Sequence, residues 1–329
     1  MAAITGGIAN TFEAPNYVGP LYGISPEDTP FLSMMGGLAM RGGSLGEMTT
    51  STTFQWQEWD LRDPESDRQR LEGADAPAAE GRKRANVTNV VEIHQEAITT
   101  TYTRQAAIGQ FSGANITGSN PVTDEHTWQV DKALRAKARD IEYTFIRGTF
   151  QSPADNSTPR QTRGILAAIT TNVTAGGSDS LDDKEVLDTM QDIYDAGGIM
   201  ETETRVMMVP PVQKRWITSL FISDRGYEEQ SRTVGGVAVT RVMTDFGSVN
   251  VVVNRWMPTD TIAILSMEEI TPVYLLIPGK GFLFVEPLAK TGATYKDQLY
   301  GELGLKYGNE RKHGKITGLA TTAPPVYGS

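Results

Sequence analysis

The sequence predicts an α+β fold, with helices in the middle of the chain and strands dominating its end. Two observations predict this order: a long amphipathic helix over residues 121–147, and a series of short segments rich in β-branched residues from residue 232 onward. A third concerns the first hundred residues, which lack the apolar content to form a core of their own. The 329 residues suffice for one large domain or two smaller ones.

The composition of the chain argues against several classes of protein. The chain has no cysteine, which rules out disulfides and thiolate zinc sites and is typical of a reducing compartment. Its formal net charge of −10 argues against a sequence-specific reader of nucleic acid, because such readers present a basic patch. No apolar run reaches the roughly 18 residues of a membrane span, and we expect neither a signal peptide nor membrane association.

Residues 1–50 are rich in Gly, Pro, Thr and Met, contain only short apolar groups, and are predicted to form an arm. Within them, residues 25–28 (SPED) supply a cap residue, a proline at the first helical position and an acid three residues after the cap. This pattern predicts one or two helical turns that carry Phe31 and Leu32 and are limited by Pro30. An arm that cannot bury itself is expected to lie on a neighbouring subunit.

Residues 51–105 predict an extended β-hairpin. Around Trp56, apolar residues alternate with glutamines, as in a half-buried strand over residues 51–60, and a returning strand is predicted over residues 86–104. The stretch between them, residues 61–85, is charged and almost without large apolar side chains. Loops of this length are usually functional or disordered. Since the tip has no core of its own, we expect it to be buried mainly against other subunits.

Seven residues of the arm and hairpin are predicted to make contacts between subunits. Phe31 and Trp56 supply apolar area, and we expect both to be buried mainly against neighbours. The basic run that ends the loop either meets acidic residues of another chain or is simply solvated. The predicted contact residues are Phe31, Trp56, Glu72, Asp75, Arg82, Lys83 and Arg84.

The strongest helical pattern covers residues 121–147. Acidic residues lie near its start, where their charge interacts favourably with the positive end of the helix dipole. Arg147-Gly148 forms the stop signal. Ile141 and Phe145 belong to a stripe of apolar residues at four-three-four spacing, which marks one buried face. At 1.5 Å per residue, this helix spans roughly 35–40 Å.

Two more helices and a series of strands complete the pattern. An amphipathic helix is predicted over residues 181–196, and another begins at Pro210-Pro211. The predicted strands are 205–209, 236–243, 248–254, 261–266, 272–277, 281–286, 293–307 and 313–320.

Two glycine-rich patterns resemble catalytic or phosphate-binding motifs. Residues 42–46 (GGSLG) match a nucleophile elbow with Ser44 as the nucleophile, but neither a strand before them nor a helix after them is predicted. Residues 278–281 (PGKG) lack the spaced first glycine and the Ser or Thr of a phosphate-binding loop, so a turn between strands is predicted.

Ionisable residues give no pattern of a catalytic or metal site. No two of His94, His126 and His313 have the spacing of metal ligands, and paired acids are explained by capping or solvation. We therefore expect no catalytic residue, no metal and no cofactor, and a chain that is not an enzyme.

Five segments carry a resemblance to a known family. They are residues 24–34 (ISPEDTPFLSM), 72–76 (EGADA), 244–258 (TDFGSVNVVVNRWMP), 288–292 (LAKTG) and 309–314 (NERKHG). Their content and order resemble successive blocks of a family of tailed-bacteriophage major capsid proteins, from about residue 24 to about residue 316.

That resemblance implies the Hong Kong 97-type capsid fold. It has an N-terminal arm, an extended loop, a peripheral domain built on a long spine helix, and an axial domain with a central sheet. The implied parts are the arm 1–50, the extended loop 51–105, the peripheral domain 106–164 with spine helix 121–147, the axial domain 165–287, the return strands 288–310, and a C-terminal segment 311–329. One expected position of the C-terminal segment is in the sheet of the axial domain.

The resemblance also implies a function. The subunit is expected to assemble into hexamers and pentamers of an icosahedral head, which encloses double-stranded DNA without sequence-specific binding. Expected partners are other copies of the chain, a portal and decoration proteins, and the expected location is the virion capsid, assembled in the bacterial cytoplasm. Some relatives crosslink through a loop lysine. Lys83 is the only lysine in this loop, and we interpret it as an electrostatic contact residue.

Three alternatives remain open at this point. The first is an encapsulin-like cargo compartment of the same fold. The second is a hydrolase that uses Ser44. The third is a tail or decoration protein.

Overall fold

The structure of the protein is a computed structural model. It describes residues 27–35, 46–61, 64, 66, 69–76, 78, 81–106, 124–177, 180–198, 205–224 and 241–322. The chain divides into two compact units. The described residues of the smaller unit are 27–28, 95–106, 124–137 and 284–300, and the other described residues form the larger unit.

Helices and strands alternate irregularly along the chain. The helices are α1 (Pro30–Met34), α2 (Tyr102–Ala106), α3 (Glu125–Arg147), α4 (Ile165–Ala168), α5 (Asp183–Asp195) and α6 (Pro211–Asp224). The strands are β1 (Glu47–Thr49), β2 (Thr53–Trp59), β3 (Arg84–Val90), β4 (Glu92–Thr101), β5 (Val173–Ala175), β6 (Arg205–Val209), β7 (Arg241–Thr244), β8 (Gly247–Val253), β9 (Ile262–Ser266), β10 (Thr271–Leu275), β11 (Leu283–Pro287), β12 (Thr294–Lys306) and β13 (Gly314–Thr317). None of the described helices is long and apolar enough to cross a membrane.

A six-stranded mixed sheet forms the centre of the larger unit, in the order β5-β13-β9-β6-β8-β7. All of β6 is buried, because both faces of the sheet are covered. Met207 and Val209 face a cluster that includes residues of α5 and α6, whereas Met208 faces a second cluster that includes Ile141 and Phe145 of α3. Because successive side chains of β6 point to opposite faces of the sheet, this strand contributes to both clusters.

Two smaller β-structures also lie in the larger unit. Strand β10 pairs in parallel with β1, where Glu47 lies opposite Val273, and antiparallel with the end of β12, where Thr271 lies opposite Lys306. Strands β2 and β3 form a separate antiparallel ribbon from the Thr53–Val90 pair to the Trp59–Arg84 pair.

The smaller unit is built on β4, β11 and the first part of β12, with α2 and the start of α3. Strand β12 pairs with both β4 and β11, and the Leu288 N–H donates to the Lys296 carbonyl at 2.8 Å to close the β11–β12 hairpin. His126 in the first turn of α3 lies 2.8 Å from Asp297 and 3.1 Å from Thr100. Its imidazole thus connects the helix to two strands.

Several predicted elements agree with the structure. The helix predicted over residues 121–147 is α3, described from Glu125 and ending at Arg147 as predicted; residues 121–123 lie outside the described part. The helix predicted over 181–196 is α5, whose Asp182–Glu185 capping box explains its start. Strand β13 pairs with β9 and β5 of the central sheet.

Two predictions about the first hundred residues are wrong. Helix α1 begins at Pro30, which occupies its first turn, whereas Pro30 was expected to limit a helix that began at residue 26. The single strand predicted over residues 86–104 is two strands, because only β3 pairs with β2 and the following β4 pairs with β12.

Candidate assembly surface

Phe31 and Trp56 are buried by their own chain, which contradicts the expectation that neighbours bury them. Phe31 has no exposed surface and Trp56 is 9% exposed. The indole Nε1 of Trp56 donates to the Gly308 carbonyl at 2.9 Å, and its ring meets Tyr307 edge-on at 4.9 Å between centroids. Both residues therefore anchor the arm and the ribbon to the body of the subunit.

Helix α1 is held in place by a carboxylate from a distant part of the sequence. Thr29 at its N-cap makes no side-chain capping bond. Instead, Glu142 of α3 accepts the N–H groups of Phe31 at 2.9 Å and Leu32 at 2.6 Å, and also the side-chain amide of Asn254 at 2.6 Å. Glu142 is fully buried, and it satisfies two N–H groups that a short helix leaves open.

Beyond Trp56, the ribbon and the loop that follows it expose large apolar side chains. Trp59 is 65% exposed, Leu61 67% and Leu71 85%. These residues were missed as contact candidates, although one signal was available. The period of two places Trp59 on the opposite face of β2 from the buried Trp56. These three side chains lie at or beyond the end of β2, on a loop without a core of its own, which makes them candidates for contact with another molecule.

The charged residues predicted to make contacts are all exposed. Glu72 and Asp75 lie at the loop tip, next to a turn in which the Ala74 N–H donates to the Leu71 carbonyl at 3.1 Å. Arg82 and Lys83 precede β3. Arg84 donates to the side chain of Gln57 at 3.1 Å, across the ribbon. The structure groups these five residues on the loop and its base, apart from Phe31 and Trp56.

Glu58 and Asp60, which follow Trp56 in the sequence, lie near Glu310 and Arg311. Partial burial raises the pKa of Glu58 above its ordinary value, and the nearby Glu310 carboxylate adds to the increase, whereas the bond from the Trp56 indole opposes it. The guanidinium of Arg311 lies 3.8 Å from the carboxylate of Asp60. Glu310 is engaged by the Thr170 and Thr171 N–H groups, at 2.9 and 3.1 Å.

The patterns considered for catalysis and metal binding gain no support. Ser44 lies outside the described residues. Residues 278–281 form a tight turn, in which the Gly281 N–H donates to the Ile277 carbonyl at 3.1 Å. Among the described residues, no group of three or more His, Asp or Glu side chains could hold a metal ion.

His94, His126 and His313 lie in different surroundings. His94 is buried, and His126 bridges strands of the smaller unit. The ring of His313 lies between the Ser266 N–H, at 3.2 Å, and the Tyr307 carbonyl, at 2.8 Å. Burial lowers its pKa to about 4, so the ring is neutral at pH 7.

The fold is that of phage capsid subunits. The capsid subunit of cyanophage A-1(L) superposes with a TM-score of 0.67 at 11% sequence identity, over 96% of this chain and 99% of that chain. An encapsulin from Synechococcus elongatus PCC 7942 superposes with a TM-score of 0.54 at 11% identity, over 99% of both chains. These similarities show the Hong Kong 97-type fold predicted from the sequence.

Sequence comparison identifies the family. The major capsid protein of Escherichia phage Phieco32 is 24% identical over an alignment of 346 positions, which covers 89% of this chain and 90% of that protein. The family of the SU10 major capsid protein matches residues 4–320. Because this match covers nearly the whole sequence, the chain belongs to the SU10 family of phage major capsid proteins.

Proposed function

We propose that this chain assembles into hexamers and pentamers of an icosahedral phage head, which encloses packaged double-stranded DNA. The match of the SU10 major capsid protein family to residues 4–320 is the observation that carries this proposal. The subunit acts as structural material and has no catalytic role. It is assembled in the bacterial cytoplasm and ends in the virion, where a portal and decoration proteins are its further partners.

The exposed ribbon supports a mechanism for assembly. Trp56 fixes the root of the ribbon to its own subunit, whereas Trp59, Leu61 and Leu71 expose apolar surface. Burying one such side chain against a neighbour contributes about 1.5–3 kcal/mol. Repeated around a closed shell, these contacts stabilise the assembly while each subunit keeps its own core.

In our proposal, the charged residues of the loop determine how two neighbouring subunits align at this contact. Glu72, Asp75, Arg82, Lys83 and Arg84 are exposed and face a neighbouring copy of the chain. Lys83 acts as an electrostatic contact. The division into arm, extended loop, peripheral domain and axial domain is part of this proposal, with the paired ribbon of the extended loop limited to β2 and β3.

Negative-stain electron microscopy of the purified protein tests the proposal. We expect closed shells of uniform diameter, and nuclease-protected DNA in particles recovered from infected cells. Tubes alone would indicate a tail protein, and the absence of any regular particle under all assembly conditions would overturn the proposal.

A cargo compartment is the second candidate, favoured by the structural similarity to the Synechococcus encapsulin, with a TM-score of 0.54. Particles purified from the native source discriminate the two. A shell filled with protein and free of protected DNA supports the compartment, whereas protected DNA supports the phage head.

A further inference from the structure

Three arginines in the larger unit each stack on an aromatic ring. The guanidinium of Arg139 lies 5.2 Å from the centre of the Trp256 ring, that of Arg147 lies 5.2 Å from Tyr143, and that of Arg163 lies 4.6 Å from Phe150. We call these six residues the arginine–aromatic stripe.

Three residues of the stripe lie on one face of α3, and Phe150 and Arg163 lie in the segment that follows the helix. Arg139, Tyr143 and Arg147 are spaced by four residues, so they share a face, and the two arginines are about 12 Å apart along the helix axis. Arg147 also donates from Nε to the Trp256 carbonyl at 2.7 Å, which connects the two halves of the stripe. Tyr143 is 48% exposed and Phe150 38% exposed, so the stripe is open to solvent.

The three guanidinium groups are not neutralised by the described part of the chain. No described carboxylate lies within ion-pairing distance of Arg139, Arg147 or Arg163. By contrast, Arg135 pairs with Glu27 and Asp131, and Arg160 pairs with Glu302. The Nε atom of Arg139 is buried and has no acceptor among the described residues. In a chain of net charge −10, the stripe is therefore a local concentration of available positive charge.

We propose that the arginine–aromatic stripe binds the phosphodiester backbone of the enclosed nucleic acid. Guanidinium groups fit phosphate oxygens geometrically, and stacking on aromatic rings orients them in advance, which reduces the entropy lost on binding. The binding is independent of base sequence, because phosphate contacts carry no sequence information. The inference rests on the proposed function, since it requires that the stripe face the interior of a DNA-filled shell.

Salt-dependent binding of unassembled full-length subunits to a fluorescent 20-base-pair duplex tests the inference. Each phosphate contact adds about −0.9 to the slope of log K against log salt. We expect R139Q/R147Q/R163Q to reduce the magnitude of that slope by about 2.7, and R147Q alone to reduce it by about 0.9. The triple arginine-to-lysine variant should keep the slope, because it keeps the three charges, and should lower the affinity.

The loop variant R82Q/K83Q/R84Q is the matched control, because it removes the same number of charges. It should leave DNA binding unchanged. Equal loss of binding in the control and the stripe variant would show a non-specific charge effect and overturn the inference. Stripe-dependent binding of polyglutamate as tightly as DNA would also overturn it, in favour of an acidic peptide.

Electron microscopy of the same preparations separates the two proposals. If the stripe variants assemble into shells and bind DNA as the unmodified protein does, the inference fails and the proposed function stands. If the unmodified protein forms no shell, the proposed function fails. Circular dichroism identifies an unfolded triple variant. In that case R147Q, which among the described residues loses the contacts of Arg147 with Tyr143 and Trp256, decides between the outcomes.

Discussion

Glu142 shows how the short helix α1 of the arm is attached to the long helix α3. Its carboxylate lies in the core and accepts three hydrogen bonds, two of them from the first turn of α1. A buried charge is tolerated where such donors replace water. Sequence patterning does not indicate this role, because the helix that Glu142 caps lies 110 residues earlier in the chain.

Replacement of this carboxylate should destabilise the subunit. Glu142→Ala leaves the Phe31 and Leu32 N–H groups and the Asn254 amide without their acceptor. We expect the free energy of unfolding to fall by about 3 kcal/mol, measured by chemical denaturation of the unassembled subunit. Asp131→Ala on the same helix is the control; it removes an exposed pair with Arg135 and should cost about 0.5 kcal/mol or less. Equal effects of the two substitutions would contradict the role given to Glu142.

His313 makes the stability of the subunit dependent on pH. Its folded pKa of about 4 lies below the ordinary value of 6.5, because the ring is buried. As the pH falls below 6.5, His313 binds a proton in the unfolded chain but stays neutral in the folded chain. Stability is therefore lost until the pH reaches about 4. Above pH 6.5 both states are neutral, and this contribution is fully present.

The variant His313→Gln tests this linkage, because it keeps a donor for the Tyr307 carbonyl and removes the titration. Between pH 7 and pH 4 the unmodified protein should lose up to about 3 kcal/mol more stability than the variant, since each pKa unit corresponds to about 1.4 kcal/mol. Urea denaturation at several pH values gives the difference. Parallel pH profiles for the two proteins would show that His313 does not titrate between these limits.

Elements with a strong local pattern could be predicted from the sequence, and those fixed by distant partners could not. The apolar stripe of α3 and the capping box of α5 specify these helices locally, and both agree with the structure. The start of α1 depends on Glu142, and the break between β3 and β4 depends on which strand each one pairs with. Sequence patterning also indicated that Phe31 and Trp56 are buried, without showing that their own chain buries them.

The ribbon offers a test that separates folding from assembly with two residues of one strand. Trp56→Ala removes a buried ring and its bond to Gly308, and we expect it to lower the free energy of unfolding by about 3–5 kcal/mol. Trp59→Ala removes an exposed ring, and it should leave the melting temperature of the subunit unchanged while raising the protein concentration needed for shell formation. A Trp59→Ala protein that assembles at the normal concentration would contradict the contact proposed for this face.

The subunit has cores of its own, and the described residues of its ribbon tip do not contribute to them. Neither core of the larger unit contains a described residue of the loop between β2 and β3. The described residues of that loop are exposed, including Leu61 and Leu71. Such an arrangement separates the energetics of folding from those of assembly, because the loop surface is available to a neighbour and is not needed by its own subunit.

Deletion of residues 61–85 tests this separation directly. Because no described residue of this segment belongs to either core, we expect a folded, soluble monomer or broken assemblies, with a melting temperature close to that of the unmodified subunit. Size-exclusion chromatography and electron microscopy measure the outcome. A variant with residues 69–76 replaced by an equal length of Gly and Ser controls for the shortened connection, and it should also fail to assemble, because it lacks Leu71, Glu72 and Asp75. Intact shells from both variants would refute the proposed assembly mechanism, since no contact of the loop with a neighbour would then be required.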